Sequence, residues 1–350
     1  KKILKRDVDI DIDIDDYEFI ILVGSEALQH FTRERSITEH CGRLIEDKYI
    51  PVINPGMLAF KPEARETWDD ALSKLKKYIS GELKSVKIDE SKFYGITDTA
   101  EALAWVKAAR ASNSPKVAVD TETTGLYPRD GYILGISMAV EDETAVYIST
   151  DCIDEEIVDE MQSMFREKGV IMHNAKFDLA MLEYHFNFEF PNIDDTMLMS
   201  YMLNEVPGNH GLKQLAIKHT PYGDYEKPMY DFIDDYCRRN GFLKGDFTWD
   251  MIPFDLIQVY AAMDACVTYR IYQVFEAELN KDPQIRRVYK NLLIPAMNFL
   301  KDVQDTGVPF DRKRLEISQN LMEQDIQLAI EKLEKHQEVR NFQEFQGKDF

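Results

Sequence analysis

Cysteine is scarce in this chain of 350 residues. The four cysteines, Cys41, Cys152, Cys237 and Cys266, lie far apart, form no C-x-x-C pair and have no paired histidines nearby. This spacing excludes a disulfide framework and a zinc knuckle. We therefore expect a reducing compartment of the cytoplasmic kind.

Long apolar runs and an excess of basic residues are also missing. No apolar run reaches the length of about 18 residues that a transmembrane helix needs, so no span is predicted. Lys and Arg number 42 against 63 Asp and Glu, a net charge of −21. This balance disfavours a surface that neutralises nucleic-acid phosphates with protein cations. If the chain contacts nucleic acid, divalent cations held by its carboxylates must balance the phosphates.

The length of the chain predicts about two to three domains. Apolar residues make up 44% of the sequence, which excludes collagen-like, low-complexity and wholly disordered chains. The first residue is Lys1 rather than methionine. We therefore expect a processed product or an excerpt of a longer protein.

The N-terminal part, residues 1–92, has the pattern of a small α/β segment. Residues 7–16, DVDIDIDIDD, alternate acidic and aliphatic residues, as in a solvated edge strand or a disordered acidic segment. The stretch EFIILVGSEALQHF predicts a strand that turns through Gly24 into a helix. A second short strand and an amphipathic helix follow. One or two strands are too few to close a sheet, so we expect a partial domain.

Residues 93–290 predict a mixed sheet covered by helices. A strand and a helix capped at Asp98 or Thr99 are followed by three strands, KVAVDTE, YILGISMAV and TAVYIST, that form a meander. Helical and strand patterns alternate after them. We expect one antiparallel and one parallel region. Residues 291–350 are helical, with an interruption at DTGVPFD, and form a third predicted domain.

Three short motifs in the second part carry the chemistry. Acid-x-acid pairs are common here by chance, about 11 of them, but Asp120 and Glu122 end an apolar strand whose alternation places both on one face. Asn174 and Asp178 are four residues apart at the start of a helix, and so are Tyr260 and Asp264 on another. Asp264 lies in so apolar a helix that it needs a partner.

Together and in this order, the motifs resemble the three exonuclease motifs of the DEDD superfamily, in the subgroup whose third motif carries tyrosine. The resemblance covers residues 93–280 and implies an RNase H-like fold with two divalent cations, Mg²⁺ or Mn²⁺. It implies that Asp120 bridges both cations, that Glu122 and Asp264 hold the one carrying the attacking water, and that Asp178 holds the other. Tyr260, with an ordinary pKa near 10, is too weak a base and is expected to orient the water.

The resemblance also implies contacts with substrate. Leu126 matches a position where such enzymes wedge an apolar side chain against the terminal base. Phe177 is expected to stack on a sugar or base, and Asn174 to orient the terminal nucleotide or the second cation's ligands. Core packing is the alternative for Leu126 and Phe177. The basic stretch CRRNGFLK, residues 237–244, is either a guide for the strand or a solvated loop.

The flanking sequence is similar to family A DNA polymerases. HGLKQLA at 210–216 resembles their proofreading domain, and residues 292–335 resemble the start of their thumb, with a turn at Gly307 and a helix capped by Asp311. The implied function is 3′-to-5′ removal of nucleotides from single-stranded DNA primer ends within a longer polymerase, in the cytoplasm, or in the host's if phage-encoded. The polymerase motifs are then expected beyond Phe350, and the resemblance specifies no accessory protein. An RNase D-like exoribonuclease and an inactive DNA-binding or scaffolding module are the alternatives.

The N-terminal segment resembles the C-terminal half of uracil-DNA glycosylases. At the position of that family's catalytic loop the chain has Asn54, Pro55 and Gly56, without the histidine. We therefore expect a segment without glycosylase activity and with a DNA-contacting or structural role; a generic α/β segment is the alternative.

Overall fold

A computed structural model describes residues 16–336 apart from 33, 35, 47, 82–88, 207–209 and 223–224. The acidic run at 7–16 therefore lies outside the described residues except for Asp16. The described residues of the N-terminal segment form two parallel strands and three α-helices: β1 (Ile20–Val23), α1 (Ser25–Thr32), α2 (Ile37–His40), β2 (Tyr49–Val52) and α3 (Arg65–Ile79). Gly24 makes the predicted turn after β1 with a φ of +85°, a conformation that glycine adopts without strain. The predicted α/β character of this segment is confirmed.

The strands between Phe93 and Asp195 form one six-stranded mixed sheet. Its strands are β3 (Phe93–Ile96), β4 (Lys116–Thr123), β5 (Ile133–Glu141), β6 (Thr144–Ser149), β7 (Gly169–Met172) and β8 (Ile193–Asp195). The order is β3-β6-β5-β4-β7-β8, with the β4-β5-β6 meander antiparallel and β7 and β8 parallel to β4. The mixed sheet and the meander are confirmed. The expectation of a single parallel region is wrong, because β3 pairs in parallel with β6 and covers what would otherwise be the open edge of the meander.

Helices cover both faces of this sheet. From Thr99 onward, the α-helices of the described residues are, in chain order, α4 (Thr99–Ala111), α5 (Glu155–Glu167), α6 (Ala175–Phe186), α7 (Thr196–Leu203), α8 (Leu212–His219), α9 (Lys227–Asn240), α10 (Phe254–Leu279), α11 (Pro283–Val288), α12 (Ile294–Thr306) and α13 (Arg312–Glu334), with a π turn at Tyr289–Leu293. Alternation along β4 sends Val117 and Val119 into the core beneath α4, α5 and α6. Ala118 enters the opposite core beneath the long helix α10. These three consecutive residues of β4 thus face opposite helical layers in alternation.

The chain divides into two compact units between Asn298 and Phe299, within α12. In the second unit, Gly307 has a φ of +70°, and the carboxylate of Asp311 accepts a hydrogen bond from the backbone N–H of Arg314 at 3.2 Å. These are the predicted turn and helix cap. The division into 1–92, 93–290 and 291–350 stays a prediction.

The four cysteines are buried and carry free thiols. None of the helices in the described part of the chain is both long and apolar enough to cross a bilayer.

Candidate active site

The first two acidic side chains come from the middle of the sheet. Asp120 and Glu122 lie near the end of β4, opposite Ser137 and Gly135 of β5. Because β4 has partner strands on both sides, its carboxylates are held on a rigid support. Glu122 is buried and Asp120 half-buried.

A third carboxylate reaches the same place from α10. Asp264 is buried on the side of α10 that packs against the sheet, among Ala261, Ala262 and Ala265. One carboxylate oxygen from each of Asp120, Glu122 and Asp264 lies within 4.8 Å of the other two. Residues 144 positions apart in sequence are thus brought within reach of one cation.

The fourth carboxylate, Asp178, lies beside this group and is fixed by β4. It accepts hydrogen bonds from the backbone N–H of Thr121 at 3.0 Å and from its hydroxyl at 2.7 Å. Thr121 is the residue between Asp120 and Glu122, so one short stretch of β4 positions three of the four acids. Asp178 is not within the 4.8 Å group, but its charge raises the pKa of Asp120 and Glu122.

The electrostatics of the four acids favour a cation. Burial, followed by mutual repulsion, raises the pKa of Asp120 and Glu122 well above their ordinary values. Burial raises the pKa of Asp178 and of Asp264 to about 7. Hydrogen bonds from Thr121 and Tyr225 oppose this rise without cancelling it. Buried carboxylates in this arrangement ionise together only when positive charge is supplied.

Two tyrosines approach Asp264. Tyr260 lies one helical turn before it on α10, and hydrogen bonding from its hydroxyl lowers the pKa of Asp264. The hydroxyl of Tyr225, from the segment before α9, donates a hydrogen bond to Oδ1 of Asp264. The rings of Tyr225 and Tyr260 stack with centroids 6.3 Å apart, and the ring centroid of Trp249 lies 5.8 Å from that of Tyr260. The sequence motifs include Tyr260 but give no signal for Tyr225 or Trp249.

Residues 93–280 match the family model described as 3′-5′ exonuclease. The chain belongs to this exonuclease family. As a member, it carries a nuclease domain.

The relatives of this exonuclease include DNA polymerases. It is 35% identical over 348 residues to a DNA polymerase of Escherichia phage T5, covering 96% of this chain and 40% of that protein. It is 28% identical over 262 residues to DNA polymerase I of Rhizobium leguminosarum, covering 66% of this chain and 24% of that protein. The chain thus spans less than half the length of these curated relatives. Escherichia coli RNase D, a solved structure, is 14% identical with a TM-score of 0.43 over 60% of this chain and 50% of that one.

The start of α6 positions the second motif of the exonuclease. Asn174 has a left-handed backbone with a φ of +60°, which lets the chain turn sharply from β7 into α6. Asp195, at the end of β8, accepts hydrogen bonds from the backbone N–H groups of Ala175 at 2.9 Å and Asn174 at 3.3 Å. Asp195 therefore fixes the first turn of α6, from which Asp178 projects. The sequence gives no signal for this role, since acids are abundant throughout the chain.

The predicted substrate contacts differ in exposure. Leu126, in the loop between β4 and β5, is 77% exposed, so core packing is excluded as its role. Phe177 is half-buried and packs against the core beneath α6. The side chain of Asn174 is exposed.

Part of the positive charge of the basic stretch at 237–244 is balanced by a neighbouring acid. Both Arg238 and Arg239 form ion pairs with Asp235, each at 2.5 Å. One of the two positive charges is therefore balanced within α9. The side chain of Lys244 lies outside the described residues.

Proposed function

We propose that the chain is a two-metal-ion 3′-to-5′ exonuclease that removes nucleotides from DNA 3′ ends, as the proofreading part of a family A DNA polymerase. The observation that carries this proposal is the convergence of Asp120, Glu122 and Asp264, with Asp178 beside them, in a member of the 3′-5′ exonuclease family. Buried carboxylates placed together in this way ionise together only when a cation balances their charge.

The four carboxylates fit Mg²⁺ or Mn²⁺. These cations prefer oxygen ligands, and the acids offer oxygen only. In our assignment Asp120 would contact both cations, Glu122 and Asp264 would hold the one that carries water, and Asp178 would hold the second. Cations held there would make a bound water acidic enough to attack at neutral pH and would stabilise charge on the leaving 3′ oxygen.

The side chains around the acids orient the reactants. Burial and the negative charges of Asp264 and Glu122 raise the pKa of Tyr260 well above its ordinary value, so its phenol stays protonated and cannot act as a base. Its role in this proposal is to hold the attacking water by hydrogen bonding. The exposed Leu126 packs against the terminal base, Phe177 contacts its sugar, and Asn174 orients the terminal nucleotide.

The relatives named DNA polymerase favour DNA as the substrate over RNA. On this proposal the partners are the single-stranded 3′ end of the primer and the polymerase part of a longer chain, and the setting is the cytoplasm. Residues 291–350 then form the start of the thumb. The N-terminal segment has a structural or DNA-contacting role.

The test is degradation of a 5′-labelled DNA with an unpaired 3′ end in Mg²⁺ or Mn²⁺, beside an RNA of the same sequence. Asp120→Ala is the inactive variant, and Asp159→Ala, which removes an exposed acid on α5, is the matched control. We expect stepwise shortening from the 3′ end, faster on DNA, lost in Asp120→Ala and retained in Asp159→Ala.

Two outcomes would contradict the proposal. Faster shortening of RNA would assign the protein to exoribonucleases. A folded chain that cleaves neither substrate and shows no thermal shift with Mn²⁺ would be an inactive binding module.

A further inference from the structure

Tyr225 is a buried side chain whose hydroxyl faces the candidate active site. Only 7% of its surface is exposed, and its ring belongs to the core beneath α10. Its one polar atom donates a hydrogen bond to Oδ1 of Asp264. A side chain so enclosed is unsuited to binding a nucleotide, so its contribution must pass through the carboxylate that it contacts.

We propose that Tyr225 is a positioning residue that holds the Asp264 carboxylate in its cation-binding orientation. The inference rests on the proposed function, since Asp264 needs orienting only if it is a metal ligand. A free aspartate rotates about its terminal bond at little cost. A hydrogen bond to one oxygen fixes the plane of the carboxylate, and partners of this kind orient metal ligands in proteins.

Tyr225 is itself held from several sides. Its ring stacks on Tyr260. The next residue, Glu226, is buried, and its carboxylate lies 3.8 Å from Nζ of Lys213 on α8. The residue after that, Lys227, forms an ion pair with Glu34 of the N-terminal segment. Three consecutive residues thus contact α10, α8 and the N-terminal segment, which fixes the backbone from which the Tyr225 ring projects.

The roles of the two tyrosines are expected to differ. Tyr260 is on the same helix as Asp264 and less buried, which suits a contact with water or substrate. Tyr225 comes from a separate segment, so its hydrogen bond restrains Asp264 relative to α9.

The experiment is a titration of the whole chain with Mn²⁺ in the absence of DNA, with free Mn²⁺ measured by electron paramagnetic resonance. Tyr225→Phe removes one oxygen and keeps the ring and its stacking. We expect its Kd for Mn²⁺ to rise about 10-fold. In exonuclease assays the half-saturating Mn²⁺ concentration should rise by the same factor, while kcat at saturating Mn²⁺ and KM for DNA change by less than about twofold.

The matched control is Tyr222→Phe. Tyr222 is a buried tyrosine in the same segment whose hydroxyl lies 3.9 Å from Sγ of Cys266. Its Mn²⁺ affinity should equal that of the wild type. A double-mutant cycle removes any general structural effect: in an Asp264→Asn background, Tyr225→Phe should cause no further loss of affinity.

The results distinguish failure of the inference about Tyr225 from failure of the proposed exonuclease function. If the wild type binds Mn²⁺ and Tyr225→Phe binds it equally well, the inference about Tyr225 is wrong and the proposed function stands. A further loss of affinity in the Asp264→Asn background, or a lower kcat with unchanged affinity, also overturns the inference. If the wild type fails to bind Mn²⁺, the proposed function itself is wrong.

Discussion

Replacing Asp178 by asparagine should stabilise the metal-free protein and abolish its exonuclease activity. Asp178 is buried and accepts two hydrogen bonds from Thr121. The amide oxygen of asparagine can accept both. The substitution therefore removes the buried charge while it preserves the contacts that fix the side chain.

The magnitude follows from the pKa of Asp178. Burial raises this pKa from 3.8 to about 7 in the folded state. Because the folded state holds the proton more tightly, the stabilisation is complete below the unfolded pKa and is lost as the pH rises through about 7. A difference of about 3 between the two pKa values corresponds to about 4 kcal/mol, which is an upper limit because the neighbouring acids share the repulsion.

The assay is urea unfolding in EDTA at about pH 5 and about pH 8.5. The wild type should lose up to about 3 kcal/mol more of its unfolding free energy than Asp178→Asn between these pH values. Mn²⁺ at about 1,000 times its Kd should reverse the order, because a cation at that concentration stabilises the wild type by about 4.1 kcal/mol. If Asp178→Asn is less stable than the wild type at the higher pH, or if their difference is independent of pH, the electrostatic reasoning is refuted.

Three further outcomes are expected. Tyr260→Phe should lower kcat on single-stranded DNA about 100-fold at unchanged KM, and an unchanged kcat would exclude its role in orienting water. Leu126→Ala should raise KM for DNA about 10-fold and leave the unfolding free energy within about 0.5 kcal/mol, as measured by steady-state kinetics and urea unfolding. Asp194→Ala should destabilise the fold by roughly 3–5 kcal/mol in urea, since it removes the buried partner of Lys116 and Lys290; a loss below about 1 kcal/mol would contradict this.

Much of the site could be predicted because its residues obey local periodicities. Alternation along β4 places Asp120 and Glu122 on one face and Thr121 on the other. The four-residue spacing on α10 places Tyr260 one turn from Asp264. The expected convergence is present for three of the acids, with Asp178 alongside, while the roles assigned to them stay predictions.

Other features depend on contacts between distant segments. Tyr225 is 39 positions from Asp264 in sequence, and no periodicity relates the two. Asp195 caps α6 only because β8 lies next to β7 in the sheet. The pairing of β3 with β6 likewise depends on which edge of the meander is open. Strand propensity predicts that a segment forms a strand but does not predict which strand it pairs with.

The ion pair between Lys227 and Glu34 has a consequence for the design of shorter proteins. A fragment that begins at Phe93 would contain every acid of the active site but would lack Glu34. Lys227, in the first turn of α9 and two residues after Tyr225, would then lose its ion-pair partner. In the full chain this ion pair links the N-terminal segment to the nuclease, although the segment contributes none of the acids. The kinetic constants of such a fragment would include the effect of losing the Lys227–Glu34 ion pair. A full chain that carries Glu34→Gln measures that effect separately, so the fragment should be compared with it.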